Sequence, residues 1–345
     1  MRLLVCGGAG FIGSNFIHYM LGKHQTLEIL NFDKLTYAGN VQNLSDLGSH
    51  TRYRFAQGDI ADASLVDQVF VEFKPDQVIN FAAETHVDRS IHIGSREFVM
   101  TNVVGTQTIL DAVRRHQTKK FVQVSTDEVY GELELNEPRL FTEETSFTPN
   151  VPYAAAKAGG DLLCRAYFET FGVPVIVTHC SNNYGPYQFP EKFIPQAIFK
   201  AMADEPIPMY GDGLYVRDWI YVADHAAALD LLLQKGEAGQ VYNIGADNER
   251  DNLTVAKMIL RMLGKPENLM VEVPDRPGHD RRYAIDAGKI KRQFGWTPDY
   301  PAARFEAGLR QTVEWYQRNI GWVAKLRQRQ HEINTHIIAG PLISK

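Results

Sequence analysis

Short apolar runs alternate with segments of helical period through the first half of this chain, and that alternation restricts the fold more than any other feature. Residues 3–6, 27–32, 53–57, 77–81, 121–125 and 174–178 read as buried strands. Residues 11–21, 63–73, 96–116 and 153–171 read as the helices between them. Apolar strands need cover on both faces, and the intervening helices supply it, so the pattern predicts a parallel sheet with helices on each side. After Cys180 the texture changes: residues 181–213 are rich in Pro, Gly, Asn and aromatics, with one helix near 193–203. Residues 218–234 and 241–244 resume the strand–helix pattern and predict a return to the sheet; further helices and a loop at 274–282 follow Asn252. The expected architecture is α/β, a Rossmann-type doubly wound parallel sheet with a smaller, discontinuous C-terminal substrate-binding lobe. The sheet domain is expected over 1–180 plus 216–245, the lobe over 181–215 plus 246–330, and a weakly patterned tail over 331–345. A chain of 345 residues can bury a core of that size.

Lys and Arg number 36 against 41 Asp and Glu, with no basic block, which argues against a nucleic-acid or anionic-membrane partner. Cys6, Cys164 and Cys180 stand far apart without CxxC spacing. That argues for reduced thiols, and against a disulfide framework or a metal site. No stretch approaches the roughly 20 apolar residues of a membrane span, and the apolar run before the first glycines is too short for a signal peptide. A cytoplasmic protein is expected.

Gly7-Gly8-Ala9-Gly10-Phe11-Ile12-Gly13 follows the first strand and opens the first helix. Glycines at 7, 10 and 13 permit a tight turn and let backbone N–H groups approach a pyrophosphate at the helix's positive end. Such loops are common in isolation. Asp33 strengthens the reading, because it ends the second strand 20 residues beyond Gly13, where a carboxylate bonds ribose hydroxyls. A carboxylate there would repel a 2′-phosphate, which favours NAD over NADP. Asp59-Ile60, ending the third strand, is placed to border the adenine.

Two groups of proton-transfer residues follow. Tyr153 and Lys157 are spaced i,i+4 and so share one helix face. A phenol is a poor base at neutral pH, and a neighbouring ammonium together with a cationic nicotinamide is expected to lower its pKa. Thr126-Asp127-Glu128 follows the fifth apolar run, at the strand end where open parallel sheets bind ligands. Adjacent carboxyls point apart, so one can donate a proton to a substrate while the other accepts one. A plain alcohol dehydrogenase needs one base; this chain carries groups for a hydride transfer and an elimination.

These segments resemble the extended short-chain dehydrogenase/reductase family, and within it the dTDP-glucose 4,6-dehydratases, over nearly the whole chain to about residue 325. Beside the glycine loop and YxxxK, the resemblance rests on NFDKLTYAGN at 31–40, AAETHVDRS at 82–90 and STDEVYG at 125–131. SNNYGPYQ at 181–188, VRDW at 216–219 and DRPGHD at 275–280 add to it. It implies conversion of dTDP-glucose to its 4-keto-6-deoxy product, with tightly bound NAD taking hydride from C4 and returning it to C6. Tyr153 would take the C4 hydroxyl proton, Glu128 the C5 proton, and Asp127 would protonate the departing C6 hydroxyl. Thr126 would bond near the C4 oxygen, and Lys157 would hold the nicotinamide ribose. The resemblance extends the cofactor site to Phe11, Ile12, Lys34, Thr36, Ala82, Ala83, Thr85, Thr101 and Asn183. It places the nucleotide sugar against Thr85, Thr126, Asn182, Glu191, Lys192, Phe193, Tyr210, Arg217, Asn252, Arg276 and His279. It also implies a homodimer in which the helices near 96–116 and 153–171 pair across a two-fold axis.

The chain departs from the family pattern at Cys6, Thr85, Ala154, Ala156 and His179, the last standing where arginine is common. Two other readings fit the residues less well. A 4-epimerase or decarboxylase of the same fold would use Tyr153 and NAD without needing Asp127 and Glu128. A non-catalytic NAD-binding sensor would need none of the proton-transfer groups.

Overall fold

The computed structural model describes residues 1–92, 94–326 and 328. The tail expected from 331, and the last residues of the 246–330 segment, lie outside the described residues.

In chain order the first half gives β1 (Arg2–Cys6), α1 (Phe11–Lys23), β2 (Glu28–Asp33), β3 (Tyr53–Gln57), α2 (Ala63–Phe73) and β4 (Gln77–Asn80). Then come α3 (Val87–His92), α4 (Arg96–Val99), α5 (Thr106–Arg115), β5 (Lys120–Thr126), α6 (Pro152–Phe171) and β6 (Val175–Cys180). The second half gives β7 (Asn182–Tyr184), α7 (Phe193–Met202), β8 (Ile207–Tyr210), β9 (Val216–Tyr221), α8 (Val222–Lys235) and β10 (Val241–Ile244). It closes with β11 (Glu249–Asp251), α9 (Asn252–Leu263), β12 (Met270–Val273), α10 (Gly288–Phe294) and α11 (Phe305–Arg318).

Seven strands form a wholly parallel sheet in the order β10-β6-β5-β4-β1-β2-β3. The doubly wound α/β fold expected from the alternation is the fold found. The pleat sorts the core: Leu3 and Val5 join Phe16, Ile17, Leu229 and Leu232 from α1 and α8. Leu4 and Cys6 face the other way, onto Phe70 of α2, Ile109 and Val113 of α5, and Tyr167 of α6. The winding reverses between β1 and β4, so the loops leaving those strands diverge and open a crevice at the carboxyl edge.

Two elements differ from the reading of the sequence. Residues 96–116 form no single α-helix: α4 and α5 flank a π-turn over Met100–Gly105. The turn sits where backbones pack closely; a Cβ on Gly160 of α6 would lie 2.5 Å from the Asn102 carbonyl oxygen. Strand β9 does not rejoin the main sheet. It pairs in parallel with β7 and antiparallel with β11, in a separate sheet of three strands. Trp219 and Tyr221 of β9 face a second apolar cluster with Ile194, Ile198, Val255, Ile259, Phe305 and Tyr316, and that burial draws the strand away. Only after α8 does β10 return to the parallel sheet, beside β6. Among the described residues no helix is long and apolar enough to cross a membrane.

Candidate active site

The crevice is lined from the glycine loop after β1 across to the segment that follows β5. One wall is backbone. Gly7 has φ +77°, and a Cβ there would lie 2.4 Å from the Ala82 nitrogen; one on Gly13 would lie 2.4 Å from the Gly7 oxygen. Those approaches draw the loops after β1 and β4 together and leave a bed without side chains at the start of α1. Asp33, at the end of β2, accepts from the Ala9 N–H (2.9 Å) and the Leu35 N–H (2.8 Å), which fixes its carboxylate toward the crevice. Burial pushes its pKa up, and those two donors pull against it. Lys34 pairs with Asp59 at 2.7 Å. A dinucleotide fits this wall: a side-chain-free helix start for its pyrophosphate, and a fixed carboxylate for ribose hydroxyls. Every cofactor residue expected from the sequence lines the crevice, from Gly7, Gly10, Phe11, Ile12 and Gly13 through Thr36, Asp59, Ile60, Ala82, Ala83, Thr85 and Thr101 to Asn183.

The opposite wall begins where β5 ends. Thr126 caps a 3₁₀ turn over Asp127–Tyr130, accepting from the Glu128 N–H at 3.3 Å. The turn aims the two carboxyls into different surroundings. Asp127 is 1% exposed, and its Oδ2 has no partner among the described residues. Burial pushes its pKa well up, with the charges of Glu128 and Asp218 adding to the effect. Burial also raises Glu128, but Arg276, Arg217 and Lys192 favour its charged form. The two neighbours thus meet unequal surroundings: anions reinforce the rise at Asp127, whereas cations oppose it at Glu128.

Helix α6 brings Tyr153 and Lys157 to the same wall. The phenol shares a hydrogen bond with Thr126, which lowers its pKa, but burial and the Glu128 charge outweigh that and hold it well above its ordinary value. The Lys157 ammonium donates to the Val124 carbonyl at 2.8 Å, and burial lowers its own pKa.

Residues expected to meet the sugar nucleotide divide in two. Thr85, Thr126, Asn182, Glu191 and Lys192 line the crevice. Glu191 accepts from Tyr37 (3.0 Å) and faces His86 (3.2 Å), while Lys192 donates to the Thr85 carbonyl (3.1 Å). Phe193, Tyr210, Arg217, Asn252, Arg276 and His279 lie outside that lining. Phe193 packs toward Trp219, with ring centroids 6.3 Å apart. The Asn252 Oδ1 is buried without a partner among the described residues. Arg217 donates to the carbonyls of Val216 and Asp280, so part of its fork is occupied. Arg276 pairs with Asp88 at 3.1 Å, and its guanidinium stands 6.0 Å from the Tyr210 ring centre. His279 stacks on Tyr215 at 3.7 Å, and burial with the charge of Arg276 lowers its pKa to about 4. Arg217, Arg276 and Lys192 converge electrostatically on Glu128, which ties this cluster to the carboxyl pair.

The family model described as GDP-mannose 4,6 dehydratase matches residues 4–312. A dTDP-glucose 4,6-dehydratase of Xanthomonas campestris is 49% identical over 338 residues, 93% of this chain and 94% of that one. The chain belongs to the dTDP-glucose 4,6-dehydratases. Two solved structures of that family superpose closely on it. The Bacillus anthracis enzyme in complex with NAD has a TM-score of 0.87 at 48% identity, covering 94% of this chain and 99% of that one. The Streptomyces venezuelae enzyme with NAD and TYD bound has a TM-score of 0.89 at 44% identity, covering 94% and 100%.

The dehydratase crevice also contains residues that sequence reasoning did not assign. Glu84, Cys180, Ser181, Gln188 and Phe189 line it. Glu84 is pinned from both sides by the Asn102 amide, whose Oδ1 accepts from its N–H (3.0 Å) and whose Nδ2 donates to its carbonyl (3.1 Å). Its place between Ala83 and Thr85, just past a strand end, was the available signal. Gln188 and Phe189 fall in the Pro- and aromatic-rich stretch from Tyr187 to Ile194, whose composition suits a flat pyrimidine, and Tyr316 of the second cluster donates to the Gln188 carbonyl.

Proposed function

We propose that this chain converts dTDP-glucose to dTDP-4-keto-6-deoxyglucose, a hydro-lyase reaction with internal redox. The observation that carries the reading is the unequally placed carboxyl pair, Asp127 and Glu128, set beside Tyr153 at the end of β5. NAD, when bound along the glycine wall, supplies the hydride acceptor for C4 and the donor for C6. With the Lys157 ammonium and a cationic nicotinamide beside it to offset its burial, Tyr153 Oη would be the phenolate that takes the proton of the C4 hydroxyl, with Thr126 holding the phenol in place. The ketone so formed acidifies C5–H, and the Glu128 carboxylate removes that proton and returns it to C5 once hydride has reached C6. Asp127, kept protonated by burial and its anionic neighbours, delivers its proton to the C6 hydroxyl, which leaves as water. Lys157 orients the nicotinamide ribose. Arg217, Arg276 and Lys192 bind the diphosphate, and the elements gathered on the second apolar cluster form the substrate-binding lobe.

The purified protein incubated with dTDP-glucose and no added reductant should lose one water by mass and gain the alkaline absorbance of the keto product. General acid and base steps are each worth about 10²–10⁴-fold, so Glu128→Gln and Asp127→Asn should each slow water loss by that order while retaining cofactor. Inversion at C4 without mass change would instead make the chain an epimerase.

The protein is further proposed to be a cytoplasmic homodimer. Its three cysteines are free and buried. Val99, Met100 and Leu162 are large apolar side chains exposed on α6 and on the helical run before α5. Sedimentation should give twice the chain mass, and Leu162→Glu should shift it toward the monomer.

A further inference from the structure

Behind the catalytic turn lies a buried chain of polar groups that no step above uses. Ser125 Oγ donates to Asp161 Oδ2 at 2.6 Å, and His179 Nε2 stands 3.2 Å from the same oxygen. On the other side of the ring, His179 Nδ1 lies 2.6 Å from Tyr130 Oη, which donates to Asn243 Oδ1 at 2.8 Å. His179 is 1% exposed and Asp161 4%. The chain joins neighbouring strands and a helix: His179 of β6 is in register with Ser125 of β5 and Asn243 of β10, and Asp161 lies on α6.

The ends of this chain settle where its protons sit. Asn243 Nδ2 donates to the Phe141 carbonyl at 3.0 Å, so its Oδ1 is an acceptor and takes the single hydrogen of Tyr130. The Tyr130 oxygen can then only accept from His179, so Nδ1 carries a hydrogen. Nε2 faces a carboxyl oxygen whose other neighbour, Ser125, already donates to it. An ionised Asp161 therefore requires a hydrogen on Nε2 as well, which makes His179 an imidazolium. The other charged groups at hand are Lys157, four residues before Asp161 on α6, and Glu143, which accepts from the Asn243 N–H at 2.9 Å.

Asp161 Oδ1 is buried and has no partner among the described residues, although Lys157 shares its helix face. Asp161 is the leading charge acting on Lys157, and its attraction opposes the burial that lowers the lysine pKa. An unclaimed Asp161 carboxylate would draw the ammonium back along the helix, because a buried charge without its partner is costly. Yet Lys157 Nζ points to the Val124 carbonyl, toward the crevice. We propose that His179 is a positioning residue whose positive charge claims Asp161 and thereby leaves Lys157 free to serve the active site. The proposal rests on the role given to Lys157 under Proposed function.

Its test joins a spectroscopic readout to a reversal. In ¹⁵N-histidine-labelled wild type, with the resonances assigned by loss in His179→Gln, both ring nitrogens of His179 should appear protonated. A neutral-ring signature would overturn the proposal. His179→Gln should lower kcat by up to about 10²-fold, the scale of a misplaced catalytic group, with little change in KM. His179→Arg should recover most of that loss, since a guanidinium supplies the charge in another shape. Adding Asp161→Asn to His179→Gln should also recover activity, because no anion is left to capture Lys157. A double variant as slow as His179→Gln, or an arginine variant that is folded and equally slow, would reduce His179 to a packing role. Melting temperatures identify any variant that fails to fold, and the wild-type ring signature then decides alone. Wild type that does not release water from dTDP-glucose would sink the dehydratase reading, while the ring signature would still decide on the charge of His179.

Discussion

The glycine loop between β1 and α1 meets its side of the crevice with backbone, whereas the far side leads from Lys192 into Arg217, Arg276 and His279, long side chains that stand beyond the lining. The first surface exists as soon as the chain turns: Gly7 and Gly13 lie against the loop after β4 and against each other, with no rotamer to choose. The second surface is held in shape by provisional partners, Asp88 for Arg276, the carbonyls of Val216 and Asp280 for Arg217, and the Thr85 carbonyl for Lys192. A backbone cradle fails sterically and all at once. A cluster of paired charges fails by degrees, and can improve when a competitor is removed.

The sharpest way to break this comparison is a methyl group on the backbone side. In Gly13→Ala the new Cβ would lie 2.4 Å from the Gly7 oxygen and 2.7 Å from the Gly8 Cα, both backbone atoms that cannot step aside. Overpacking of this kind costs about 1–3 kcal/mol or more, and here it also deforms the pyrophosphate bed. The expected outcome is loss of co-purifying NAD together with a lowered melting temperature. Gly22→Ala on the same helix is the control, since its Cβ would meet nothing within 4 Å. It should keep the cofactor and gain up to about 1 kcal/mol from helix propensity. Equal behaviour of the two variants in calorimetry and cofactor content would refute the steric account.

The same contrast explains what could be read from the sequence. The strands of the parallel sheet match the apolar runs to within a residue or two, because a strand buried on both faces announces itself locally, although β3, read as buried, is an edge strand with no buried residue. The glycine spacing and Asp33 were legible for the same reason. Strand β9 was assigned to the wrong sheet, since Val-Arg-Asp-Trp-Ile-Tyr signals a strand but not which neighbour it will find. The π-turn was invisible because one extra residue in a turn leaves the apolar spacing of residues 96–116 nearly unchanged. The i,i+4 spacing of Tyr153 and Lys157 was legible, but the burial that raises the phenol pKa is reported by no spacing. The buried set of Ser125, Asp161, His179 and Tyr130 escaped notice because it closes only when β5, β6 and α6 pack.

The far side also stores charge in its foundations, which predicts a pH dependence beyond the one that Asp33 brings to the glycine side. Asp218 on β9 is 1% exposed, and burial raises its pKa from 3.8 to about 6. A carboxyl with a raised folded-state pKa binds its proton more tightly in the native protein. Its contribution to stability is therefore present at low pH and lost as pH rises through the window from about 4 to 6. The shift corresponds to about 3 kcal/mol. Asp218→Asn removes that slope. The melting temperature of wild type should gain on that of the variant as pH falls from 7 toward 4, and parallel curves would show that Asp218 is not ionised under strain.

The smallest expected effect is the most specific, because two substitutions at one contact should act with opposite sign. Arg276 and Asp88 are 188 residues apart in sequence and 3.1 Å apart in space, and each is partly exposed. Arg276 Nε is buried without a partner among the described residues, so the guanidinium keeps a donor in reserve. A hydrogen bond from a charged group contributes about 1.5–3 kcal/mol, so Arg276→Gln should raise KM for dTDP-glucose by roughly 10-fold or more, with kcat less affected. Asp88→Asn removes the competitor for that guanidinium, and the exposed pair it breaks is worth only about 0–1 kcal/mol. KM should then fall a few-fold, and added salt, which screens the same competition in wild type, should narrow the gap between the two proteins. If Asp88→Asn raises KM as Arg276→Gln does, the contact is a fixed brace of the 274–282 loop, and the far side of the crevice is as rigidly preset as the glycine wall.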